Sequence, residues 1–523
     1  MDAAYGVPCV VIEKGTATDR YKYAKLLAVS VRTMEFCRRF GVTDAVYNWG
    51  FPKDYRFDNL FVTSLGGYEL ARVTVAGGHE AGLQSPEHMG YCPQSQFDPI
   101  IQNLASYFPC VSLLFRHRLD SFLQNDDGIR AVVTNGDSNE TEEIEAEYLI
   151  GCDGYDSTVR EALGIRMRGE HFIDRSINIE FTLADFFSFH NKGQAGRYVC
   201  IGEEGTWATV MPLDGVKRWR LVAYGSDKKV SGIDPKELVS RFLGCEAPFV
   251  IDSVRNWTRR AVIAERFQDG RVFIAGDAAH AHPPNGGLGM NTGVADAVDL
   301  GWKLAGVHHG WAPAALLDSY DIERRPICHR AVEEAVADLK RLTKPAVSAH
   351  LAKSTPQGES DRAQLRKQLL EEHDGVRGWD RLGIHLGYIY HPSPITVDDG
   401  TPIGEDDLFS YQPTGRPGAR APHAWLSDGR STLDLFGKNF TLLRLGEDAP
   451  QVQPFLDAAK DRNLPLDVHH LSDPTIGELY GQPLVLVRPD GHVAWRSDTL
   501  PPDAGVILDR VRGAGTRASA RAF

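Results

Sequence analysis

The sequence predicts an α/β protein with a mostly parallel open sheet, an inserted antiparallel sheet and a small separate C-terminal domain. Three observations favour this fold. Short apolar runs that end in glycine or an acidic residue precede helix starts, as at residues 272–277. Residues 165–260 instead consist of strand-like runs separated by turns. After a proline-rich stretch, residues 431–513 again alternate strand and helix patterns.

Length and composition favour an ordinary soluble enzyme over a nucleic-acid or membrane protein. A chain of 523 residues suffices for two or three domains, and a net charge of −13 argues against a nucleic-acid surface. No apolar run approaches the ~18 residues of a membrane span, and the N-terminus lacks a signal-peptide pattern. The eight cysteines show neither Cys-x-x-Cys nor zinc spacing. We therefore expect a cytoplasmic protein with reduced thiols and no metal site.

The first element that the sequence predicts is a parallel strand that ends in an acidic residue. Val10, Val11 and Ile12 form an apolar run, and Glu13 follows it. An acid at the end of the second strand of a dinucleotide-binding fold holds ribose hydroxyls. Without that context, an acid after a strand is usually just solvated.

Two helix starts carry polar residues that are unremarkable by themselves. Residues 30–42 predict an amphipathic helix that stops at Gly41, with Arg32 in its first turn. Residues 91–98 open another helix, with Gln94 near its start. Most arginines and glutamines in such positions are solvated.

Residues 147–160 predict a strand, a tight turn and a helix. The strand ends in Gly151-Cys152-Asp153-Gly154, and Ser157 is a suitable N-cap for the helix. Asp153 can cap the backbone of the turn, so its position alone does not identify a ligand.

Residues 176–183, 198–201, 206–211 and 218–224 read as strands of an inserted antiparallel sheet. We expect most of its aromatic residues to be core and some to line a pocket, and the sequence does not choose among them. They are Phe181, Phe186, Phe187, Phe189, Tyr198 and Trp207.

Residues 271–305 combine three features of a ligand site. A buried strand ends at Gly276-Asp277, where a carboxylate can accept hydrogen bonds from ligand hydroxyls. Glycines at 286, 287 and 289 let a flat ligand approach the backbone. A helix predicted to begin near Asn291 or Thr292 offers free N–H groups to an anionic edge. The plain alternative is a strand–loop–helix joint.

This stretch closely resembles the second flavin motif of a known enzyme family. The residues that carry the resemblance are Gly276-Asp277-Ala278-Ala279-His280 and Pro283-Pro284-x-Gly286-Gly287-x-Gly289-Met290-Asn291. The family is the aromatic-ring hydroxylases, single-component FAD monooxygenases typified by p-hydroxybenzoate hydroxylase and phenol hydroxylase. Arg-Thr-Met-Glu at 32–35, Pro-Gln at 93–94 and Cys-Asp-Gly at 152–154 are also similar to family segments.

The resemblance implies a role for each of these positions, and it names no catalytic base. It implies that Asp277 meets the flavin ribityl chain, that Arg32 meets the FAD pyrophosphate and that Gln94 contacts the flavin side chain. Asp153 is tied to both FAD and NADPH, and Glu13 to the ribose. The resemblance also implies that the start of the helix surrounds the isoalloxazine ring of the flavin. The residues concerned are Gly287, Leu288, Gly289, Met290 and Asn291.

The family fold implies five parts and a tail. These are a Rossmann-like FAD domain at 1–165 and 255–330, a substrate-binding sheet at 166–254, a helical segment at 331–390, a linker at 391–430, a thioredoxin-like domain at 431–513 and a tail at 514–523. No cysteine lies in 431–513, which excludes thiol redox chemistry there. The roles that remain for that domain are packing against the rest of the chain and homodimerisation.

The glycine fingerprint expected about 20 residues before Glu13 is not in the sequence. Only 12 residues precede Glu13, and Gly6 is their single glycine. The first strand and the pyrophosphate-binding helix start are therefore not encoded, and two neighbouring strands should be exposed. Two explanations stay open: a late start or truncated chain, which we favour because the downstream motifs are intact, and a flavin-free degenerate homologue.

The implied function is an FAD-dependent monooxygenase that uses NADPH or NADH and O2. It would hydroxylate a phenolic or polyketide-type aromatic substrate through a flavin hydroperoxide. Two alternatives stay open: Baeyer–Villiger or other oxygenation by the same flavin fold, and a flavin-free homologue that acts as a binding protein.

Overall fold

The computed structural model describes residues 2–19, 27–74, 83–225, 233–343, 347–372 and 381–515. Most of the predicted tail lies outside them. The helices are α1 (Val31–Arg39), α2 (Thr43–Tyr47), α3 (Gln94–Ser106), α4 (Thr158–Ala162), α5 (Pro235–Leu243), α6 (Leu288–His308), α7 (Ser319–Leu342), α8 (Pro356–Glu372), α9 (Leu382–Leu386), α10 (Gln453–Asp461), α11 (Pro474–Tyr480) and α12 (Ala504–Val511).

The strands alternate with these helices in the first and last parts of the chain and dominate its middle. They are β1 (Cys9–Glu13), β2 (Ala28–Val29), β3 (Asn59–Val62), β4 (Glu69–Val73), β5 (Gly90–Tyr91), β6 (Val111–Phe115), β7 (His117–Gln124), β8 (Ile129–Asn135), β9 (Thr141–Ala146), β10 (Leu149–Gly151), β11 (Met167–Thr182), β12 (Arg197–Gly202), β13 (Gly205–Pro212), β14 (Arg218–Gly225), β15 (Val250–Ala264), β16 (Gln268–Asp269), β17 (Val272–Ile274), β18 (His280–Ala281), β19 (Phe440–Leu445), β20 (Leu466–Leu471), β21 (Leu484–Val487) and β22 (Val493–Ser497).

The parallel strands of the predicted open sheet form two short sheets among the described residues. β1 pairs in parallel with β6, and β10 pairs in parallel with β17. β17 is fully buried beneath α6 and α7, whereas Val10 and Val11 of β1 are 48% and 47% exposed. Since these two side chains point to opposite faces, β1 is uncovered on both sides. The predicted exposure concerns the strand edges that a first strand would cover, and it stays a prediction.

The middle of the chain forms one eight-stranded, mostly antiparallel sheet in the order β18-β15-β11-β14-β13-β12-β3-β4. It extends beyond residues 166–254, because β3, β4 and β18 join from outside that range and β15 continues past it. One face packs against α5 in a large apolar core. β18 follows directly on the Asp277 turn, so this sheet is attached to the predicted flavin loop.

The C-terminal unit has a four-stranded sheet in the order β20-β19-β21-β22, with β19 and β20 parallel and the other pairs antiparallel. The element order β19-α10-β20-α11-β21-β22-α12 gives a thioredoxin-like topology. Its core is continuous with the rest of the molecule, since Trp302 of α6 and Trp311 pack against Phe440. None of the helices among the described residues has the length and apolar character needed to cross a membrane.

Candidate active site

Asp277 lies in a turn at the end of β17, where the backbone leaves the sheet. Gly276 has a φ of +58°, which glycine accepts without strain, and one 3-10 turn follows over Gly276–Ala278. The three residues of β17 are fully buried, whereas the Asp277 side chain is exposed. A buried strand thus presents a carboxylate that can accept hydrogen bonds from ligand hydroxyls.

The glycine loop leads directly into α6. Gly286 and Gly287 have φ values of +77° and +65°, and Gly287 is the N-cap residue. No side chain among the described residues caps this helix, and its first turn contains no acidic residue. Because the first N–H groups of a helix lack intrahelical acceptors, this start offers donors and a partial positive charge to an anionic ligand edge.

The Asp277 turn and the start of α6 touch each other through two glycines. A Cβ atom built on Gly293 would lie 3.3 Å from the Cα of Gly276. Leu288 anchors the helix start by packing against α7, while Gly289 lies beside the His282 ring. The Asp277 turn therefore packs against α6 at Gly293, five residues after the first residue of the helix. A joint contact of Asp277 and residues 287–290 with FAD stays a prediction.

The predicted helix start near Asn291 or Thr292 is wrong, because α6 begins at Leu288. A glycine with positive φ caps the helix, and both polar side chains bond back to it instead. Thr292 Oγ1 donates to the Leu288 carbonyl at 2.9 Å, and Asn291 Nδ2 donates to the Gly287 carbonyl at 2.6 Å. The local preference of these residues for N-caps is thus overridden by the glycine loop.

The Asn291 side chain ties α6 to the start of α1. Its Oδ1 accepts from the Ser30 N–H at 2.9 Å and from Thr33 Oγ1 at 2.8 Å. Its Nδ2 also donates to the Ala28 carbonyl at 3.2 Å. The buried amide is therefore occupied within the protein, and contact of Asn291 with a flavin ring would involve its backbone.

One apolar cluster joins the segments that carry Arg32, Gln94 and Met290. Val29 and Met34 pack with Cys92 and Phe97 of the α3 segment, and Met290 packs against them. Gln94 is the first residue of α3, and its amide donates to Asp98 at 3.3 Å. The predicted contacts of Gln94 and Arg32 with FAD stay predictions.

Arg32 contacts the C-terminal domain. Its Nη1 donates to Glu35 at 2.9 Å, and its Nη2 donates to the Asp490 carbonyl at 2.8 Å. Glu35 is also held by Arg420, and all three side chains are buried. In this structure the Arg32 guanidinium therefore joins α1 to a turn of the thioredoxin-like domain, a role that the sequence does not indicate.

Asp153 and Glu13 both cap nearby backbone groups. Asp153 Oδ2 accepts the Val159 N–H at the start of α4 at 3.1 Å, and its side chain is exposed. Arg160 of α4 donates to the Ala278 carbonyl at 3.2 Å, which connects the Asp153 segment to the Asp277 turn. Glu13 Oε1 accepts the Gly15 N–H at 2.8 Å. Both roles toward FAD stay predictions.

The large sheet turns a polar face away from its apolar core. Phe181, Phe186, Tyr198 and Trp207 lie in the core with α5, while Arg220 and Tyr224 alternate to the opposite side. That opposite side meets Tyr91, whose hydroxyl donates to the Pro212 carbonyl at 2.6 Å, just ahead of Gln94. The polar face therefore lies toward the predicted flavin residues, and sequence alternation within β14 is the signal that would have found it.

A buried ionic cluster behind the Asp277 turn was missed by sequence reasoning. His280 Nε2 lies 2.7 Å from Asp296 Oδ2, and Arg324 Nε donates to Asp296 Oδ1 at 2.9 Å. Burial opposes charging of the His280 ring, but Cys328 and Asp296 raise its pKa well above the ordinary value. Asp296 shares α6 with Asp299 and Lys303, so the local pattern of the helix does not single it out.

An exposed carboxylate lies on a turn that packs against a helix whose start has no side-chain cap, an arrangement suited to binding a nucleotide cofactor. A family model described as an FAD binding domain matches residues 3–335. A second, described as the C-terminal part of aromatic-ring hydroxylases, matches residues 414–515.

Known proteins resemble the chain over nearly its whole length. The 2,4-dichlorophenol 6-monooxygenase of Delftia acidovorans is 32% identical over 95% of this chain and 92% of its own. Aklavinone 12-hydroxylase of Streptomyces purpurascens is 32% identical over 97% of this chain and 94% of its own. The rebeccamycin biosynthetic enzyme RebC with bound 7-carboxy-K252c is 36% identical, with a TM-score of 0.90 over 98% of this chain and 96% of that chain.

The chain therefore belongs to the FAD-dependent aromatic-ring hydroxylases and is a flavoprotein monooxygenase. Its own residues fit the ribityl and ring half of FAD. The Asp277 carboxylate is exposed, and the first N–H groups of α6 are uncapped. Gly289 has no side chain, and a Cβ built there would meet only the His282 ring, so a planar group can approach the backbone at this point. At Gly286 the corresponding space is filled by Arg381 and Leu288.

Proposed function

We propose that this chain uses FAD and NADPH or NADH to insert one oxygen atom of O2 into a phenolic or polyketide-type aromatic substrate in the cytoplasm. The main support for the proposal is that the Asp277 turn packs against α6, whose start has no side-chain cap. The relatives support the substrate class, since they are named for dichlorophenol, tetracenomycin and aklavinone.

In this proposal the two halves of the site have separate tasks. Bound FAD supplies the redox chemistry that activates O2. Asp277 holds the cofactor by accepting hydrogen bonds from its hydroxyls. The start of α6 stabilises negative charge at the ring edge by about 0.3–1 kcal/mol, and by up to about 2 kcal/mol where it is partly buried. The glycine loop keeps bulk water from the ring.

The polar face of the large sheet would bind the substrate. Arg220 is buried on this face, and burial lowers its pKa. On the same face Arg259 lies over the Tyr224 ring, with its guanidinium carbon 4.3 Å from the ring centroid. Cations and a phenol beside an aromatic ligand favour a substrate with ionisable hydroxyl groups, because a phenolate is stabilised by nearby positive charge.

Baeyer–Villiger or other oxygenation of a polyketide is the second candidate. It is favoured by the relative named tetracenomycin B2 monooxygenase-dioxygenase of Streptomyces olivaceus, which is 30% identical over 97% of this chain. The two candidates share the cofactor site and differ in the product, so product structure separates them.

The test is reconstitution of the purified chain with FAD, followed by assay with phenols and aromatic polyketides. We expect retained yellow flavin absorbance, substrate-stimulated oxidation of NADPH or NADH, and a product that carries one oxygen atom from labelled O2. A parallel assay of both nicotinamide cofactors identifies the reductant. Failure to bind FAD under any condition would instead support the flavin-free binding protein.

A further inference from the structure

The Asp277 turn is held from behind by a single buried carboxylate. Asp296 lies on α6, and its Oδ2 accepts both the Gly276 N–H at 3.1 Å and His280 Nε2 at 2.7 Å. Its Oδ1 accepts Arg324 Nε at 2.9 Å. The side chain is fully buried. Asp296 therefore fixes the residues at both ends of the segment that presents Asp277.

Arg324 completes the arrangement from α7. Besides Asp296, its guanidinium donates to the Tyr390 hydroxyl at 3.1 Å and to the Thr292 carbonyl at 3.2 Å. Each arm of the planar group thus has a different acceptor, which leaves it little freedom to rotate. The carboxylate is held in one position by α7 and the segment around Tyr390, both outside the flavin loop.

The cluster does not form a metal site. His280, Asp296 and Cys328 place one ligand atom each within 4.8 Å of one another. Arg324 already occupies Asp296 Oδ1, and its Nη2 lies 4.0 Å from Cys328 Sγ. A fixed guanidinium beside two of the three ligand atoms would repel a divalent cation.

We propose that Asp296 and Arg324 are positioning residues, which lock the turn from Gly276 to His280 so that the Asp277 carboxylate faces FAD. His280 takes part as the cation on the turn itself, paired with Asp296. The inference rests on the proposed FAD site for its functional consequence, and on the geometry of the chain alone for the locking of the turn.

The mechanism is preorganisation. Gly276 has a left-handed backbone and no side chain, so the turn by itself has many accessible conformations. Fixing the turn before FAD binds removes the entropy cost of ordering it at that moment. Loss of the lock should therefore weaken FAD binding without removing any group that touches the cofactor.

The experiment compares Asp296→Asn with Glu323→Gln. Glu323 is the matched control because it is a fully buried carboxylate on α7, next in sequence to Arg324, and it pairs with Lys303 and Arg488. Both variants lose one buried negative charge. Among the described residues, Glu323 forms no hydrogen bond or ion pair with the turn from Gly276 to His280. Measured quantities are the melting temperature, the FAD dissociation constant and the flavin absorbance spectrum.

We expect Asp296→Asn to weaken FAD binding by about tenfold or more and to alter the flavin spectrum, since a buried charged hydrogen-bond acceptor is lost. Glu323→Gln should lower the melting temperature while changing FAD affinity less than about threefold. Equal affinity losses in the two variants, or unchanged affinity in Asp296→Asn, would overturn the proposal.

Conservative variants separate positioning from folding. His280→Gln keeps a donor toward Asp296, whereas His280→Leu keeps none, so FAD affinity should fall less in the glutamine variant. Arg324→Lys keeps the charge but loses the three-way fork, and we expect it to resemble Asp296→Asn. If one of these variants fails to fold, the FAD affinities of the others can still be compared with that of Asp296→Asn.

Amide hydrogen exchange in protein without FAD tests the lock independently of the proposed function. The peptide that contains Gly276 to His280 should exchange faster in Asp296→Asn than in Glu323→Gln. Unchanged exchange there would refute the lock even if the wild-type protein binds FAD. Faster exchange in a chain that binds no FAD would support the lock and reject the proposed function.

Discussion

Among single residues, Asp277 presents an exposed carboxylate at the end of the buried strand β17. Its side chain is exposed, so Asp277→Ala should change the free energy of unfolding by no more than about 0.5 kcal/mol. Loss of its hydrogen bonds to a ligand should weaken FAD binding roughly 10- to 100-fold. Titration with FAD and chemical denaturation measure the two effects separately.

The matched control for Asp277 is Asp457→Ala, which removes an exposed carboxylate from α10 in the C-terminal domain. It should leave both stability and FAD affinity unchanged. An Asp277→Ala protein that binds FAD as tightly as wild type would show that this carboxylate does not contact the cofactor.

Residue-level prediction from sequence works where the chemistry is local. Asp277 and the glycines at 286, 287 and 289 lie in one short stretch, and their motif indicates the site. Asp296 is not found in this way, because its partners lie 16 residues away at His280 and 28 residues away at Arg324. Such partners are set by how α6, α7 and β17 pack, which the local pattern does not contain.

At the scale of elements, the contact between α6 and the Asp277 turn depends on Gly293. Alanine in a helix is normally more stable than glycine by about 1 kcal/mol. At Gly293 the added Cβ would lie 3.3 Å from the Cα of Gly276, so the turn must move. We expect Gly293→Ala to lose FAD affinity and to gain no stability, as measured by FAD titration and thermal melting.

Gly477→Ala serves as the helix control for Gly293. Gly477 lies within α11, and no atom is found within 4 Å of a Cβ built there. This substitution should raise stability by roughly 0.5–1 kcal/mol. Equal stabilisation by both substitutions would mean that the turn tolerates the added methyl group.

A second element contact is the buried charge cluster where α6 and α7 meet the turn between β21 and β22. Asp299 and Glu323 share the Lys303 amine at 2.7 Å each, and Arg488 lies 2.6 Å from Glu323. Asp490 also pairs with Arg488. The cluster thus contains three carboxylates and two cations, and it becomes neutral when one carboxylate is protonated.

Asp299 is the carboxylate that should carry this proton. Burial raises its pKa to about 7, against the attraction of Lys303, and Glu323 adds to the rise. A raised folded pKa means that the native state binds the proton more tightly, so the stabilisation is full below the unfolded pKa and is lost as pH rises through about 7. The free energy of unfolding should therefore fall between pH 5 and pH 8, by on the order of 2 kcal/mol.

Asp299→Asn isolates this effect, because asparagine resembles the protonated acid. Urea denaturation of both proteins at pH 5, 6, 7 and 8 should show wild type losing stability relative to the variant as pH rises. Parallel pH profiles would show that Asp299 is ionised throughout and that another group takes up the proton.

For the whole molecule, the sequence predicts the separate domains better than the contacts between them. The inserted sheet and the thioredoxin-like order follow from alternation and turn residues within each segment. The sheet takes β3, β4 and β18 from outside its predicted range, because strand partners are chosen by packing across long chain separations. The contact of Arg32 with the Asp490 carbonyl spans 458 residues and has no sequence signature.

These contacts between domains indicate that the thioredoxin-like domain is a structural part of the flavin enzyme. Trp302 and Trp311 share one apolar core with Phe440 and Leu442, and Arg488 brings a fully buried guanidinium between Glu323 and Asp299. Residues 431–513 contain no cysteine and therefore no thiol for disulfide exchange. We therefore expect this domain and the FAD domain to unfold together in one transition rather than separately.

Arg488→Met tests that coupling. It leaves Asp299, Glu323 and Asp490 buried around one amine, so the free energy of unfolding should fall by about 3–5 kcal/mol. Arg38→Met is the control, since Arg38 pairs with Asp434 across the same two domains but is 32% exposed. Arg38 also pairs with Glu87, which keeps its hydrogen bond from Tyr47, so the variant should cost less than Arg488→Met, on the order of 1–2 kcal/mol. Denaturation followed by tryptophan fluorescence and by circular dichroism should give coincident transitions in all three proteins. Two separate transitions in wild type would mean that the C-terminal domain is held only loosely and unfolds independently of the FAD domain.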